Sequence, residues 1–296
     1  MAYNTILVSV DGLDGSACAV ETAFRVAKRF SSHLTALHVR PDPKDTIPLL
    51  GEGMSVAMIE DMVRIAEDES QDRSQRAQTR FDNCVAEQGF NLSDQPGAEP
   101  PSAAWREERG REDDLAARFG RLSDLIVACR PGVDADVSQT LTLNSALFDT
   151  GRPVLVVPPA ADAGTDTGAE KAALGRKVVI SWNGSAEASR SIGLAMPFLK
   201  EADDVMVFTV GMGPAASDQA LDLATYLSWH GISSSTRALP GKGSAVGADL
   251  LEEARDFGAD LLVMGAYTHS RMRQLILGGV TRHVLEQSNL PLFMAH

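Results

Sequence analysis

Cysteine is scarce in this chain. Its three residues, Cys18, Cys84 and Cys129, lie far apart in the sequence. Neither a disulfide framework nor a zinc ligand set is expected from so few at such spacings, and the usage fits a reducing compartment. Positive charge is also in deficit. Lys and Arg number 27 against 40 Asp and Glu, a net charge of −13. That balance repels nucleic-acid phosphates and anionic lipid, so neither nucleic acid nor membrane is an expected partner. It leaves a nucleotide ligand open, because helix N-termini and backbone amides hold phosphates without a basic surface. No apolar run approaches the ~18 residues of a membrane span. The start, Met1-Ala2-Tyr3-Asn4-Thr5, lacks a charged region, and the apolar run behind it ends at Asp11. No signal peptide is expected, and a cytoplasmic location is the simplest expectation.

What is present is enough apolar material for two cores. At 296 residues with 44% hydrophobic and 23% charged side chains, the composition is that of a soluble globular chain. At about 150 residues per domain, two domains follow. The sequence also repeats itself. Asn4–Gly12 reads N-T-I-L-V-S-V-D-G and Arg176–Gly184 reads R-K-V-V-I-S-W-N-G, which aligns Asp11 with Asn183 and Gly12 with Gly184. D-L-I-V-A at 124–128 matches D-L-L-V-M at 260–264, and R-P-V-L-V at 152–156 matches L-P-L-F-M at 290–294. Three strand-like matches in one order argue for duplication of a whole unit.

The second half alternates strands and helices. Strands are expected at Lys177–Ser181, Asp204–Val210, Ser233–Leu239, Leu261–Met264 and Pro291–Met294. Helices are expected at Ala186–Leu199, ending near Pro197, and at Asp218–Gly231, Ala245–Phe257 and Val280–Gln287. β-branched runs separated by helices imply right-handed crossovers and a parallel sheet covered on both faces. The first half repeats this order with an enlarged middle, Pro41–Pro101, carrying a long charged helix from roughly Met54 to Gln88. That helix reads as a lid or packing helix, ahead of a third strand near Ser102–Arg106. The stretch Pro158–Leu174 is rich in Ala, Gly and Pro without periodicity. It divides the chain into domains at 1–158 and 175–296, with 159–174 as linker.

The ligand argument rests on Met264-Gly265-Ala266-Tyr267-Thr268-His269-Ser270-Arg271 and on Gly278-Gly279-Val280-Thr281. Open parallel sheets bind ligands beyond the carboxyl ends of their strands, where Gly265 falls. Gly278-Gly279 opens a helix whose first amides are unpaired at the positive end of the dipole, and glycine lets a phosphate approach the backbone. Thr281 offers a hydroxyl in the first turn, His269 lies in the same loop, and Arg271 or Arg273 can offset phosphate charge.

These residues resemble the ATP-binding universal stress proteins, which carry G-x2-G-x9-G-[S/T] between their fourth strand and last helix. Gly265 and Gly278 hold the first and third glycine positions; Thr268 stands at the second and Gly279 at the Ser/Thr position. The family aspartate that ends the first strand is replaced by Asn183. The resemblance implies two tandem open parallel five-stranded sheets of the adenine-nucleotide α-hydrolase-like, Rossmann-like type, packed as a pseudo-dimer through Val154–Val157 and Pro291–Met294. It implies ATP, ADP or AMP in the second half, with or without Mg²⁺, and a stress-response or signalling role without dedicated catalysis. Ser181, Trp182 and Asn183 would flank the adenosine and Val210 would cover the base. Met264, Gly265, Thr268, His269, Arg271, Gly278, Gly279, Val280 and Thr281 would line the rest. A homodimer and an unidentified protein partner are compatible with the family.

The first half departs from that pattern. Cys129 stands where Gly265 stands, Asp134 and Asp136 follow, and no glycine pair precedes Asn144-Ser145. Asp11 keeps the family aspartate, yet no ATP is expected there. Gly211-x-Gly213-x-x-Ala216 imitates a dinucleotide loop, but Pro214 removes an amide and no acidic ribose partner follows. No G-x-x-x-x-G-K-[S/T], H-E-x-x-H or G-x-S-x-G occurs. The alternative, an adenine-nucleotide-hydrolysing or adenylating enzyme of a related α/β fold, finds no S-G-G-x-D, H-I-G-H or K-M-S-K-S motif.

Overall fold

The computed structural model describes residues 3–41, 56–132, 137–159, 174–210, 214–239, 246–266 and 279–296. The chain divides into two compact α/β units, 3–150 and 151–296. Each is built on a parallel sheet whose strands are apolar because both faces are covered by helices.

The first unit runs β1 (Thr5–Ser9), a short 3-10 turn (Asp14–Ser16), α1 (Ala17–Phe30), β2 (His33–Arg40), α2 (Val56–Gln88) and β3 (Asn91–Leu92). It continues through β4 (Ser102–Arg109), α3 (Glu112–Gly120), β5 (Leu125–Cys129) and α4 (Val137–Asp149). The strand order is β3-β4-β2-β1-β5, with all pairs parallel. Ile6, Leu7 and Val8 are buried on the sheet, and Val20, Ala23, Phe24 and Ala27 bury one stripe of α1. The long charged helix α2 is a packing helix. Ala77, Phe81 and Cys84 are buried, and the Phe81 ring lies 5.7 Å from Phe24 and 5.6 Å from Trp105. The expected third strand is present and extends to Arg109.

The second unit contains β6 (Val154–Val157), β7 (Lys177–Trp182), α5 (Ala186–Glu201), β8 (Asp204–Val210), α6 (Pro214–Trp229) and β9 (Ser235–Leu239). It ends with α7 (Val246–Phe257), β10 (Leu261–Gly265), α8 (Gly279–Gln287) and β11 (Leu292–Ala295). Strands β9-β8-β7-β10-β11 form a parallel run, and β6 adds to β11 in the antiparallel sense, Leu155 opposite Phe293. The expected pairing of these two apolar segments is therefore present, with β6 grouped in the second unit. Most of the linker expected at 159–174 lies outside the described residues. Several element ends differ from expectation, two of them at prolines. Helix α5 continues through Pro197 to Glu201, the proline being accommodated inside it. Helix α6 starts four residues earlier than expected, with Pro214 in the first helical position where a missing N–H costs nothing.

The duplication repeats down to single hydrogen bonds. Asp124, ahead of β5, accepts from the amides of Asn4 and Thr5 at 2.8 and 3.0 Å. Asp260, ahead of β10, accepts from Gly175 and Arg176 amides at 2.8 and 2.9 Å. Each carboxylate sets the register of the first strand against the fourth. Among the described residues no helix is long and apolar enough to cross a membrane.

Candidate functional site

In the second unit the chain passes from β7 outward to β8 and β9, then returns to β10 on the other side of β7. The crevice of such a sheet opens where the direction reverses, between the carboxyl ends of β7 and β10. Ser181 lies beside Met264 in that register, and Trp182 beside Thr209. Ser181, Trp182, Asn183, Met264 and Gly265 are thus gathered at one edge, with Val210 at the end of β8. Ser181 and Trp182 are half-buried and Asn183 is exposed.

The turn leaving β7 is shaped by its own polar side chains. Asn183 Oδ1 accepts from the Ser185 amide at 3.1 Å, and Ser185 Oγ caps α5 by accepting from the Ala188 amide at 3.1 Å. Gly184 between them has φ +73°, a conformation that favours glycine. Its missing side chain leaves Gln219 of α6 as neighbour, 3.8 Å from where a Cβ would stand. Gln219 is exposed at this edge, and nothing in its sequence context singled it out.

Gly265 has a packing reason that its sequence position does not reveal. A Cβ there would stand 2.5 Å from the Ala188 amide nitrogen and 2.9 Å from the Glu187 carbonyl carbon. The first turn of α5 therefore rests directly on the end of β10. Deeper in, Ser191 Oγ donates to the Met264 carbonyl at 2.9 Å and accepts from the Ala295 amide at 2.9 Å, joining β10 and β11 to α5. At the start of α8 Gly279 is exposed, and a Cβ on it would meet no described residue within 4 Å. Val280 is half-buried and Thr281 is buried, so Thr281 takes part in the packing of α8. Thr268, His269, Arg271, Arg273 and Gly278 lie outside the described residues. Among the described residues no group of three or more His, Cys, Asp and Glu side chains is placed to hold a metal ion.

The corresponding edge of the first unit is filled by the protein itself. Asp11 Oδ1 accepts from the Leu13 amide at 2.8 Å, as Asn183 does from Ser185, and also from the Ser16 hydroxyl. Its other oxygen accepts from Gln139 Nε2 at 2.8 Å. Helix α2 crosses the same loop. Gly12, at φ +76°, is pressed against the Arg73 carbonyl, and Arg80 donates to the Leu13 carbonyl at 2.7 Å. Glu112 is held beneath, accepting from Ser9 Oγ at 2.8 Å and Ser138 Oγ at 3.3 Å. Burial pushes its carboxyl above the ordinary range, against the Ser9 hydrogen bond. Helix α4 begins at Val137, so Asn144 and Ser145 lie inside it and not at its first turn. In its first turn Ser138 and Gln139 are engaged by Glu112 and Asp11, and Asp134 and Asp136 lie outside the described residues.

Cys18 and Cys129, distant in sequence, meet because α1 lies over the β1–β5 edge, both sulfurs within reach of the Gly15 carbonyl at 3.7 and 3.4 Å.

Comparison with known proteins agrees with this architecture. No curated protein sequence matches the chain. A universal stress protein from Archaeoglobus fulgidus DSM 4304 superposes with a TM-score of 0.64 at 15% identity, covering 100% of this chain and 99% of its own. A putative universal stress protein from Pseudomonas aeruginosa UCBPP-PA14 gives 0.57 at 14% identity, covering 99% and 93%. A functionally unknown protein from Pseudomonas aeruginosa PAO1 gives 0.55 at 14% identity, covering 99% and 92%. At such identities these likenesses establish the fold. The model of the universal stress protein family matches residues 2–121 and again 205–296, one match in each half and together more than half the chain. With two family matches on two copies of one α/β unit, this chain belongs to the universal stress protein family, in its tandem form.

Proposed function

We propose that the second unit binds an adenine nucleotide, ATP, ADP or AMP, in the crevice between the carboxyl ends of β7 and β10, and that the protein carries no dedicated catalytic chemistry. The observation that carries this reading is the start of α8, where Gly279 is exposed and no described residue stands within 4 Å of the place a Cβ would take. The unpaired amides of a helix start and its positive dipole end suit a phosphate. The edge of β7 suits the nucleoside: Trp182 is half-buried beside it, and Asn183 is fixed by its turn. Val210 would cover the base from β8. Met264 is buried and supports the floor. Gly265, Val280 and Thr281 shape the crevice, while Thr268, His269, Arg271 and Gly278 of the connecting loop complete the phosphate contacts. Mg²⁺, where it takes part, would arrive with the nucleotide and be held chiefly by the phosphates.

A stress-response or signalling role in the cytoplasm, exerted through a protein partner that senses the bound nucleotide, belongs to the same proposal. Two measurements test it. Mass spectrometry of small molecules released from the purified protein should find an adenine nucleotide, and steady-state hydrolysis should stay far below ~1 s⁻¹. Turnover of that order would favour the hydrolase reading, and failure of all three nucleotides to bind would remove the proposal.

A further inference from the structure

Two thiols meet at the filled edge of the first unit. Cys129 ends β5, and Cys18 lies in the first turn of α1. In the second unit the same juncture is sealed, because Gly265 lets the first turn of α5 rest on the strand. In the first unit the extra turn Asp14–Ser16 precedes α1, and the Cys129 side chain stands at the juncture instead. Cys129 Sγ lies 3.4 Å from the Gly15 carbonyl oxygen and Cys18 Sγ 3.7 Å from the same atom. Both thiols are thus directed at one carbonyl oxygen. Both are half-buried, which leaves them within reach of a small oxidant, whereas Cys84 is buried at 5% exposure in the packing of α2.

We infer that Cys18 and Cys129 form a redox-modification site, a dithiol that a hydroperoxide converts to an intrachain disulfide linking the first turn of α1 to the end of β5. The neighbouring Cys129 thiol holds the Cys18 thiol below its ordinary range and is itself pushed above it, while the start of a helix favours a thiolate at Cys18. Cys18 is therefore the attacking sulfur. Its thiolate forms an S–O bond as the peroxide O–O bond breaks, and the departing alkoxide takes a proton and leaves as an alcohol, or as water from hydrogen peroxide. Cys129 then attacks the Cys18 sulfenic sulfur. The S–S bond forms, the S–O bond breaks, and hydroxide leaves as water with the proton from Cys129. Two thiols lose two electrons in all, and one hydroperoxide is reduced. Cys84 stays out of this chemistry, its thiol pushed up to about 11 by burial.

The site is independent of nucleotide binding in the second unit, so the two stand or fall separately. The experiment is a hydrogen peroxide titration of the full chain, followed by alkylation under denaturing conditions and disulfide mapping by mass spectrometry. Alkylatable thiols should fall from three to one, with Cys84 the survivor. The cross-link should join Cys18 to Cys129 within one chain, at all protein concentrations, and dithiothreitol should reverse it. In the Cys129→Ser variant Cys18 should proceed to sulfinic acid, lacking a resolving thiol. The wild-type map decides the matter should that variant not fold. Retention of all three thiols, a cross-link containing Cys84, or a cross-link between chains would each overturn the inference.

Discussion

Asp11 Oδ2 accepts a hydrogen bond from Gln139 Nε2 at 2.8 Å, across 128 residues of sequence. The bond ties the end of β1 to the first turn of α4. A carboxylate that the family presents towards a nucleoside is here satisfied by the chain itself.

Removing that carboxylate should cost stability and not nucleotide affinity. Asp11→Ala strips acceptors from Gln139, Ser16 and the Leu13 amide. A loss of about 1–3 kcal/mol is expected for the unpaired groups left behind. Denaturant unfolding should register it, while calorimetric titration with ATP should be unchanged. A large loss of affinity would mean that the first unit holds the ligand.

Two glycines at one edge should respond in opposite ways. Gly265→Ala drives a methyl into the backbone of α5 at Ala188, and overpacking of this kind costs about 1–3 kcal/mol. Gly279→Ala places its methyl where no described residue stands within 4 Å and should leave stability unchanged or raise it by up to about 1 kcal/mol. Thermal unfolding of the pair distinguishes packing from conformational freedom. Equal losses would contradict the geometry.

The sequence made the β/α alternation, the duplication and the edge of β7 legible, because strands buried on both faces and repeated turn residues leave direct marks. Asn183 and Asp11 were visible as strand-end residues with glycine behind them. The reason for Gly265 was not visible, since the atom it must avoid belongs to Ala188, distant in sequence. That α2 packs on the first unit was expected, but the residues by which it does so were not. Most of this charged helix is a solvated face, and among its described residues Ser70, Ser74, Ala77, Phe81 and Cys84 mark the buried stripe. The thiol pair escaped for the same reason, as spacing along the chain does not measure distance across a sheet edge.

Glu112 gives a pH signature. Burial raises its carboxyl above the ordinary range, so the folded state holds its proton more tightly than the unfolded chain. This contribution to stability is complete below the unfolded carboxyl value of about 4.3 and is lost as pH rises through the raised folded value. Glu112→Gln removes the titration while retaining an oxygen for Ser9. Its stability relative to wild type should therefore grow from acid towards neutral pH in thermal unfolding. A flat difference would place the carboxyl in water.

The loop leading into α8 should matter to affinity more than to folding. Gly278→Val is expected to weaken ATP binding at least tenfold, about 1.4 kcal/mol, through obstruction of the phosphate approach. Thr268→Gly should leave affinity unchanged or raise it, bringing the loop to the family pattern. Equal affinity for wild type and Gly278→Val would reject the phosphate cradle.

The central claim is asymmetry between two copies of one unit, and the stoichiometry of nucleotide binding tests it most directly. Calorimetric titration of the full chain should give one adenine nucleotide per chain, retained in Asp11→Ala and lost or strongly weakened in Gly278→Val. Two equivalent nucleotides per chain, or one that disappears with Asp11 and survives Gly278→Val, would contradict it.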